Sequence, residues 1–167
     1  MKITLRLAIN ALLGTCFLAG CEKVDLPNVK VDKNLIQELD SKVINVATIN
    51  SHDYFIDAYL WRDFMPISPP NGKPLVSINW LISADSSAIP DNIKLEQQYV
   101  ISGDSIWIAN YDNVTHQTPE YKIEKVSRDG PKWGPFVHVD VIAKISDSNT
   151  KLDYYLKLKG VYILRTD

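Results

Sequence analysis

Apolar and polar residues alternate over much of the chain after Val43, and this period of two restricts the fold more than any other feature of the sequence. The alternation is clearest in two runs, 76–82 and 137–145. Because successive side chains of a strand point to opposite faces, each run predicts a strand with one buried face. In the first run the apolar set includes Trp80, which is therefore predicted to be a core aromatic residue.

Further candidate strands are separated by segments rich in turn-forming residues. These candidates cover 42–47, 53–64, 93–102, 105–111, 121–127 and 152–164. The segments Ser68-Pro69-Pro70-Asn71-Gly72 and Arg128-Asp129-Gly130-Pro131 are typical turns. About seven or eight strands at this spacing predict an all-β domain over residues 43–167, an antiparallel immunoglobulin-like β-sandwich, with a small β-barrel as the alternative.

The N-terminus has the layout of a secretory signal peptide. Lys2 and Arg6 precede an apolar stretch, 7–18, that is interrupted by Asn10 and Gly14. A transmembrane helix needs about 20 mostly apolar residues, so this stretch is too short to serve as one. The sequence therefore predicts export rather than a membrane-spanning segment.

The motif Leu18-Ala19-Gly20-Cys21 ends this apolar stretch and resembles the lipobox of bacterial lipoproteins. The resemblance covers residues 1–21 only. It implies removal of residues 1–20 and acylation of Cys21, for example with palmitate. Glu22 follows where Asp would favour retention at the inner membrane, which implies the outer membrane, facing the periplasm. The alternative is an ordinary signal peptide with a chance cysteine.

The cysteine count limits the chemistry of the exported chain. Cys16 is removed with the signal peptide and Cys21 carries lipid, and the sequence has no other cysteine. A disulfide, a thiol nucleophile and a thiolate metal site are thereby excluded. Residues 21–42 are expected to form a tether, with a short helix in which Asp32 is the cap and Leu35 and Leu39 share a face.

Net charge and motifs indicate which partners to expect. The formal net charge is −2 and Lys and Arg are not clustered, so no nucleic-acid partner is predicted. No phosphate loop, dinucleotide motif or hydrolase signature is present, and no cofactor is predicted. The expected partners are a membrane, through the N-terminal lipid, and an envelope protein.

His138 and Asp140 are the candidates for metal or acid–base chemistry. They are two positions apart in a predicted strand, which directs both side chains to the same face. A metal site would need more ligands, and His52 and His116 are the remaining histidines. The alternative interpretation is a solvated sheet face on which the two residues are neighbours by chance.

Aromatic and charged residues next to turns are the candidates for binding. Trp61, Arg62 and Asp63 precede the proline-rich loop, and Trp133 lies in a second loop between Gly and Pro residues. Trp and Arg are frequent in interface hot spots, which favours a contact patch. The alternative is structural, with Arg62 or Asp63 fastening the loop and Trp133 folding over one end of the domain.

The sequence predicts a non-catalytic binding or envelope-assembly module, because catalytic motifs are absent and aromatic residues occupy two loops. Two alternatives stay open. One is a metal-handling or hydrolytic protein centred on His138 and Asp140. The other is a structural spacer in the envelope whose sheet edges make the contacts.

Overall fold

A computed structural model describes residues 28–112 and 118–167. The predicted signal peptide, the lipidation site at Cys21 and the candidate ligand His116 lie outside the described residues. None of the helices described is both long and apolar enough to cross a bilayer.

The described chain contains ten strands and one helix. In chain order these elements are β1 (Val29–Val31), α1 (Lys33–Asp40), β2 (Val43–Ile44), β3 (Ala47–Ile49), β4 (His52–Asp63), β5 (Leu75–Ser83), β6 (Ile93–Ser102), β7 (Ser105–Asn110), β8 (Lys122–Gly130), β9 (His138–Asp147) and β10 (Leu152–Thr166). Part of the segment interpreted as a tether, β1, pairs with β7.

The strands form one curled, mixed sheet that closes about half of a barrel. Its order is β1-β7-β6-β9-β10-β4-β5-β8, with β2 beside β10 and β3 beside β4. The all-β class is thereby confirmed, whereas the antiparallel immunoglobulin-like sandwich is not. The sheet is mixed because β10 is antiparallel to β9 on one side and parallel to β4 and β2 on the other.

A bend in β10 allows this strand to serve two parts of the sheet. Its register with β9 shifts between Leu158 and Val161, and Gly160 there has a φ of +67°. Such a bulge increases the local twist, and glycine adopts a left-handed φ without a steric cost. The first half of β10 pairs with β2 and the second half with β4, so β2 and β3 lie where β10 and β4 separate.

The concave side of the sheet encloses the core. On β5 the face that carries Trp80, which was predicted to be buried, lies on the outer side of the sheet. Leu75 and Leu81 are buried together with Ser77 and Asn79, while Trp80 lies half-buried on the outer side. The prediction of Trp80 as a core aromatic residue is wrong, and Trp107 is the fully buried tryptophan. The period of two determines which residues share a face, but not which face the fold encloses.

Helix α1 covers part of the outer face of the sheet. Its cap is the one predicted, since Oδ1 of Asp32 accepts a hydrogen bond from the Leu35 N–H at 2.9 Å. Leu39 packs into a cluster with Ile106 and Ile142. Strand β9 is consequently buried on both faces where the helix lies, which explains why Ile142 is as inaccessible as Val141.

Candidate functional site

An open cleft lies in the wall of the sheet between the first half of β6 and the start of β8. Strand β7 separates β6 from β8 farther along, but its pairing with β6 extends only from Ser102 to Gln97. Beyond this point the chain crosses to β8, where the Asp112 N–H donates to the Val126 carbonyl at 2.7 Å. The space left beside β6 has a volume of about 500 Å³.

The cleft has an apolar floor and a charged rim. The apolar lining residues come from β6, from β8 and from the loop before β6, and they are Ile89, Pro90, Ile93, Leu95 and Ile123. The charged lining residues are Asp91, Lys94, Glu96, Asp112 and Lys125. The lining therefore contains as many charged as apolar side chains, so a ligand that fits it would need both apolar and polar groups.

Tyr111 lines the cleft and carries a buried hydroxyl group that has no partner among the described residues. Its ring packs against the core cluster that contains Leu95, and its oxygen is buried with no hydrogen-bond partner in the described chain. Burial also raises the pKa of Tyr111. Buried polar groups in proteins almost always have a partner, so this phenol is an unusual feature of the cleft lining.

The charges on the rim are only partly neutralised within the protein. Glu96 accepts a hydrogen bond from Ser146 at 2.8 Å, and Asp112 forms an ion pair with Arg128 at 3.1 Å. Within the described chain, Lys94 and Lys125 have no carboxylate within 4.0 Å. Both ammonium groups therefore remain available to a ligand.

A polar cluster in the core lies next to the cleft. Lys125 is the cross-strand partner of Asn79, whose amide donates to the side-chain oxygens of Ser77 and Gln98. The Ser77 hydroxyl also donates to Gln98, at 2.9 Å. Oδ1 of Asn79 and Nε2 of Gln98 have no hydrogen-bond partner in the part of the chain that the structure describes. The interior behind Lys125 is thus polar and incompletely satisfied.

Arg62, one of the predicted binding residues, is 1% exposed and contacts only the protein's own loops. Its guanidinium donates to the carbonyls of Lys73 at 3.0 Å, Lys132 at 3.1 Å and Gly134 at 2.7 Å, and also to that of Asn71. This arrangement corresponds to the structural alternative, in which Arg62 fastens the loops.

The other predicted binding residues are divided between two sides of the sheet. Asp63 accepts from Lys73 at 2.6 Å and from the Met65 N–H at 2.9 Å, which holds the start of the proline-rich loop. Trp61 packs against Tyr59 on the outer face, with the rings tilted and 5.4 Å between their centroids, whereas Trp133 packs against the core cluster of Trp107. The structure does not bring Trp61 and Trp133 into one patch.

His138 and Asp140 have separate partners. The His138 ring lies 5.0 Å from the Tyr162 ring, while Asp140 forms an ion pair with Lys157 at 2.9 Å and accepts the Gly160 N–H at 3.0 Å. Ile163 pairs with Leu60 in the parallel ladder of β10 and β4, so Tyr162 is level with Tyr59. His52 lies seven residues before Tyr59 on β4, and therefore ~23 Å along the strand from Tyr162. Within the described residues, no group of three potential metal ligands is present.

The fold also brings together a serine, a histidine and an aspartate that are distant in sequence. Oδ2 of Asp85 and Oγ of Ser87 lie 2.9 Å and 3.1 Å from the His52 ring, both at Nδ1. In a catalytic triad the carboxylate and the nucleophile contact different ring nitrogens. Because both groups share Nδ1 here, the histidine is not placed between a nucleophile and an orienting acid.

The cleft residues Tyr111 and Lys125 were not identified from the sequence. They lie on segments that meet only after β6, β7 and β8 have formed, and neither belongs to a motif. The one sequence signal is the alternation in the predicted strand 105–111, which includes Tyr111, whereas the observed β7 ends at Asn110. Comparison with protein families, curated proteins and solved structures finds no match for this chain.

Proposed function

We propose that this chain is a lipid-anchored protein of the bacterial envelope that binds a ligand in the cleft between β6 and β8. The observation that carries the proposal is the buried hydroxyl of Tyr111, a residue that lines this cleft, which has no hydrogen-bond partner within residues 28–112 and 118–167. A ligand with an apolar body and one polar group fits the lining, since its body would pack on Leu95 and Ile123 while its polar group bonds to Tyr111.

The contacts of the histidines favour binding over catalysis. Asp140 is bonded to Lys157 rather than to His138, and His52 receives both of its polar neighbours at one nitrogen. A general base needs an orienting partner and a free nitrogen directed at the reacting group. Neither His138 nor His52 has this arrangement.

The anchor is supported by the lipobox-like motif and by the shortness of the segment that follows it. Cys21 and Asn28, the first described residue, are seven positions apart, which corresponds to at most ~25 Å of extended chain. Acylation at Cys21 would hold the domain at the outer membrane, on its periplasmic side, within reach of envelope components. A nucleic-acid partner is not proposed.

Ligand binding is tested with the full chain and the neutral fluorescent probe N-phenyl-1-naphthylamine. We expect saturable binding, reduced about tenfold or more by Ile89→Asp, since a carboxylate in the floor opposes an apolar ligand. Leu152→Asp, at an exposed apolar position elsewhere, is the matched control and should bind as the parent does. Equal affinity in the two variants would refute the proposal.

A second variant covers the case in which Ile89→Asp does not fold. Lys94→Trp places a large side chain on the exposed rim of the cleft and leaves the core unchanged. We expect it to block the probe, while Lys151→Trp at a distant exposed position does not. Unimpaired binding by the Lys94→Trp chain would also contradict the assignment of the cleft.

The anchor is tested separately in cells. Cys21→Ser should release the chain from the membrane fraction and abolish labelling with an alkyne-bearing palmitate analogue. Cys16→Ser is the matched control, because Cys16 lies within the segment that is removed. Labelling that survives in the Cys21→Ser chain would show that the motif is not a lipobox.

A further inference from the structure

The side chains that line the cleft face either the interior of the sheet or its outer side, and Lys125 faces the interior. On β8, Ile123 packs against the inner core cluster, so Lys125, two positions farther on, is directed to the same face. Its cross-strand partner Asn79 is buried on that face. Lys125 is therefore a half-buried cation on the inner wall of the cleft.

Two other charged lining residues, Lys94 and Glu96, lie on the outer side of β6. Leu95 between them is buried in the inner core cluster, whereas both charged residues are exposed. Glu96 accepts a hydrogen bond from Ser146, which is the cross-strand partner of Lys94. The two opposite charges are therefore neighbours on the outer face, and together they add no net charge to it.

The remaining charged lining residues, Asp91 and Asp112, do not neutralise Lys125. Asp112 is paired with Arg128 at 3.1 Å, and Asp91 is exposed in the loop before β6. Within residues 28–112 and 118–167, Lys125 has no carboxylate within 4.0 Å. Removing an ammonium group from water costs free energy that an opposite charge offsets, so this position favours a ligand that carries an anion.

The inner wall changes from polar to apolar along the cleft. Lys125 is level with Asn79, which belongs to the polar cluster of the core. Ile123 is level with Leu81, and both contribute to the apolar cluster that also contains Leu95. The two levels are two residues apart, and so ~7 Å along β8. A ligand with one polar and one apolar end would therefore lie in a defined direction.

We propose that the ligand of this cleft is an amphipathic anion, a single apolar chain that ends in one carboxylate. The carboxylate pairs with Lys125, and the chain packs on Ile123 and Leu95. The volume of about 500 Å³ is in the range of sites for small molecules. This inference rests on the proposed function, because it names the class of ligand that the same cleft binds.

A headgroup with one negative charge fits the cleft better than a headgroup with two. Lys125 is the single cation among the described lining residues that face inward, whereas Asp91 and Glu96 place carboxylates on the rim. A second negative charge would be repelled by these carboxylates and would gain no further cation on the inner wall. The ligand is therefore a carboxylate and not a phosphate monoester.

The test measures displacement of N-phenyl-1-naphthylamine from the full chain by compounds that share one ten-carbon chain. We expect decanoate to displace the probe at a concentration at least about tenfold lower than decan-1-ol, since an ion pair is added to the same apolar contacts. Decyltrimethylammonium should be the weakest, and decyl phosphate should be no better than decanoate. Equal displacement by decanoate and decan-1-ol overturns the inference without any need for a variant.

Substitution of Lys125 tests the residue itself. Lys125→Met should weaken decanoate about tenfold or more and leave decan-1-ol and the probe unchanged. Lys122→Met is the matched control, because Lys122 lies on the outer face of the same strand, with Nζ 4.4 Å from the centroid of the Trp80 ring. Lys125→Glu should reverse the preference in favour of decyltrimethylammonium. Decanoate affinity that is unchanged in Lys125→Met, or reduced equally in Lys122→Met, contradicts the assignment.

Equilibrium dialysis with radiolabelled decanoate separates this inference from the proposed function. Probe binding without decanoate binding would overturn the carboxylate and leave the cleft as a ligand site. Absence of binding by both compounds would overturn the proposed function, and the inference with it. Decanoate that binds equally to the parent and to Lys94→Trp occupies another place on the protein, which also refutes the inference.

Discussion

Nη1 of Arg62 donates to the carbonyl of Gly134 at 2.7 Å, and this bond joins the end of β4 to the loop that precedes β9. The same guanidinium reaches the proline-rich loop through Lys73. Burial lowers the pKa of Arg62. An arginine is suited to this position because its planar group directs several donors at once, which a lysine cannot do.

We expect Arg62→Lys to lower the free energy of unfolding by about 3 kcal/mol, since buried carbonyls lose their donors and one buried charge remains. Denaturant titration of the full chain measures this. Arg165→Lys, at an exposed residue paired with Asp167, is the control and should change stability by less than about 0.5 kcal/mol. Similar effects of the two changes would mean that Arg62 does not fasten the loops.

We expect the folded protein to lose stability in acid as the Asp140 carboxylate becomes protonated. Burial opposes its ionisation, but hydrogen bonds from Lys157 and the Gly160 N–H outweigh burial and lower the pKa of Asp140 below 3.8. Because the folded-state pKa is the lower one, the ionised carboxylate stabilises the fold above pH about 3.8. This contribution is lost as the pH falls further, through the folded-state pKa.

Asp140→Asn should therefore destabilise the chain by about 1–2 kcal/mol at neutral pH and flatten the decline of stability below pH about 4. Denaturant titrations across this range measure both effects. Asp104→Asn removes an exposed carboxylate that pairs with Lys33 and serves as the control. An unchanged acid decline in the Asp140→Asn chain would exclude Asp140 as its source.

The protein should be more stable when both interior amides, Asn79 and Gln98, are replaced than when Gln98 alone is replaced. Gln98→Met alone removes the acceptor of the Ser77 hydroxyl and one of the two acceptors of the Asn79 amide, and should cost about 1–3 kcal/mol. Gln98→Met with Asn79→Leu also removes the two unpaired amide atoms and leaves only the Ser77 hydroxyl without a partner, so we expect a smaller loss of stability than for Gln98→Met alone. A double-mutant cycle of unfolding free energies checks this, and strict additivity would be the contrary result.

Tyr111 is expected to reduce stability in the absence of ligand. Tyr111→Phe removes a buried hydroxyl that has no partner among the described residues, and should raise the free energy of unfolding by about 1 kcal/mol. Tyr99→Phe is the matched control, because the Tyr99 hydroxyl donates to Gln97 at 2.7 Å and its loss should destabilise. Destabilisation by Tyr111→Phe would indicate that its hydroxyl has a partner in the free protein.

Local sequence features anticipated the individual elements well. The cap at Asp32 and the turn before Gly72 follow from side-chain chemistry within a few residues, such as the Asp32 carboxylate bonding to the Leu35 N–H. The predicted turn at Arg128-Asp129-Gly130-Pro131 is wrong, because β8 continues to Gly130, which pairs with Leu75 of β5. The metal interpretation of His138 could not be judged in this way. It depended on distances to other histidines and on Lys157, which contacts Asp140 from a different strand.

The residues of the cleft could not be predicted, because each of its walls comes from a different part of the chain. Tyr111 is noticeable only once β7 is seen to end before β6 does. The inner face of β5 is a similar case, since Ser77 and Asn79 look like surface residues until Gln98 is placed opposite them.

By itself, the amino-acid sequence determined the β class and the pairs of residues that share a strand face, because these depend on the backbone geometry of neighbouring residues. Only the tertiary structure decided which face of β5 is enclosed, that β10 pairs in parallel with β4, and that Tyr111 borders a cleft. These features depend on contacts between residues far apart in the chain, where the alternation of polar and apolar residues carries no information about the partner.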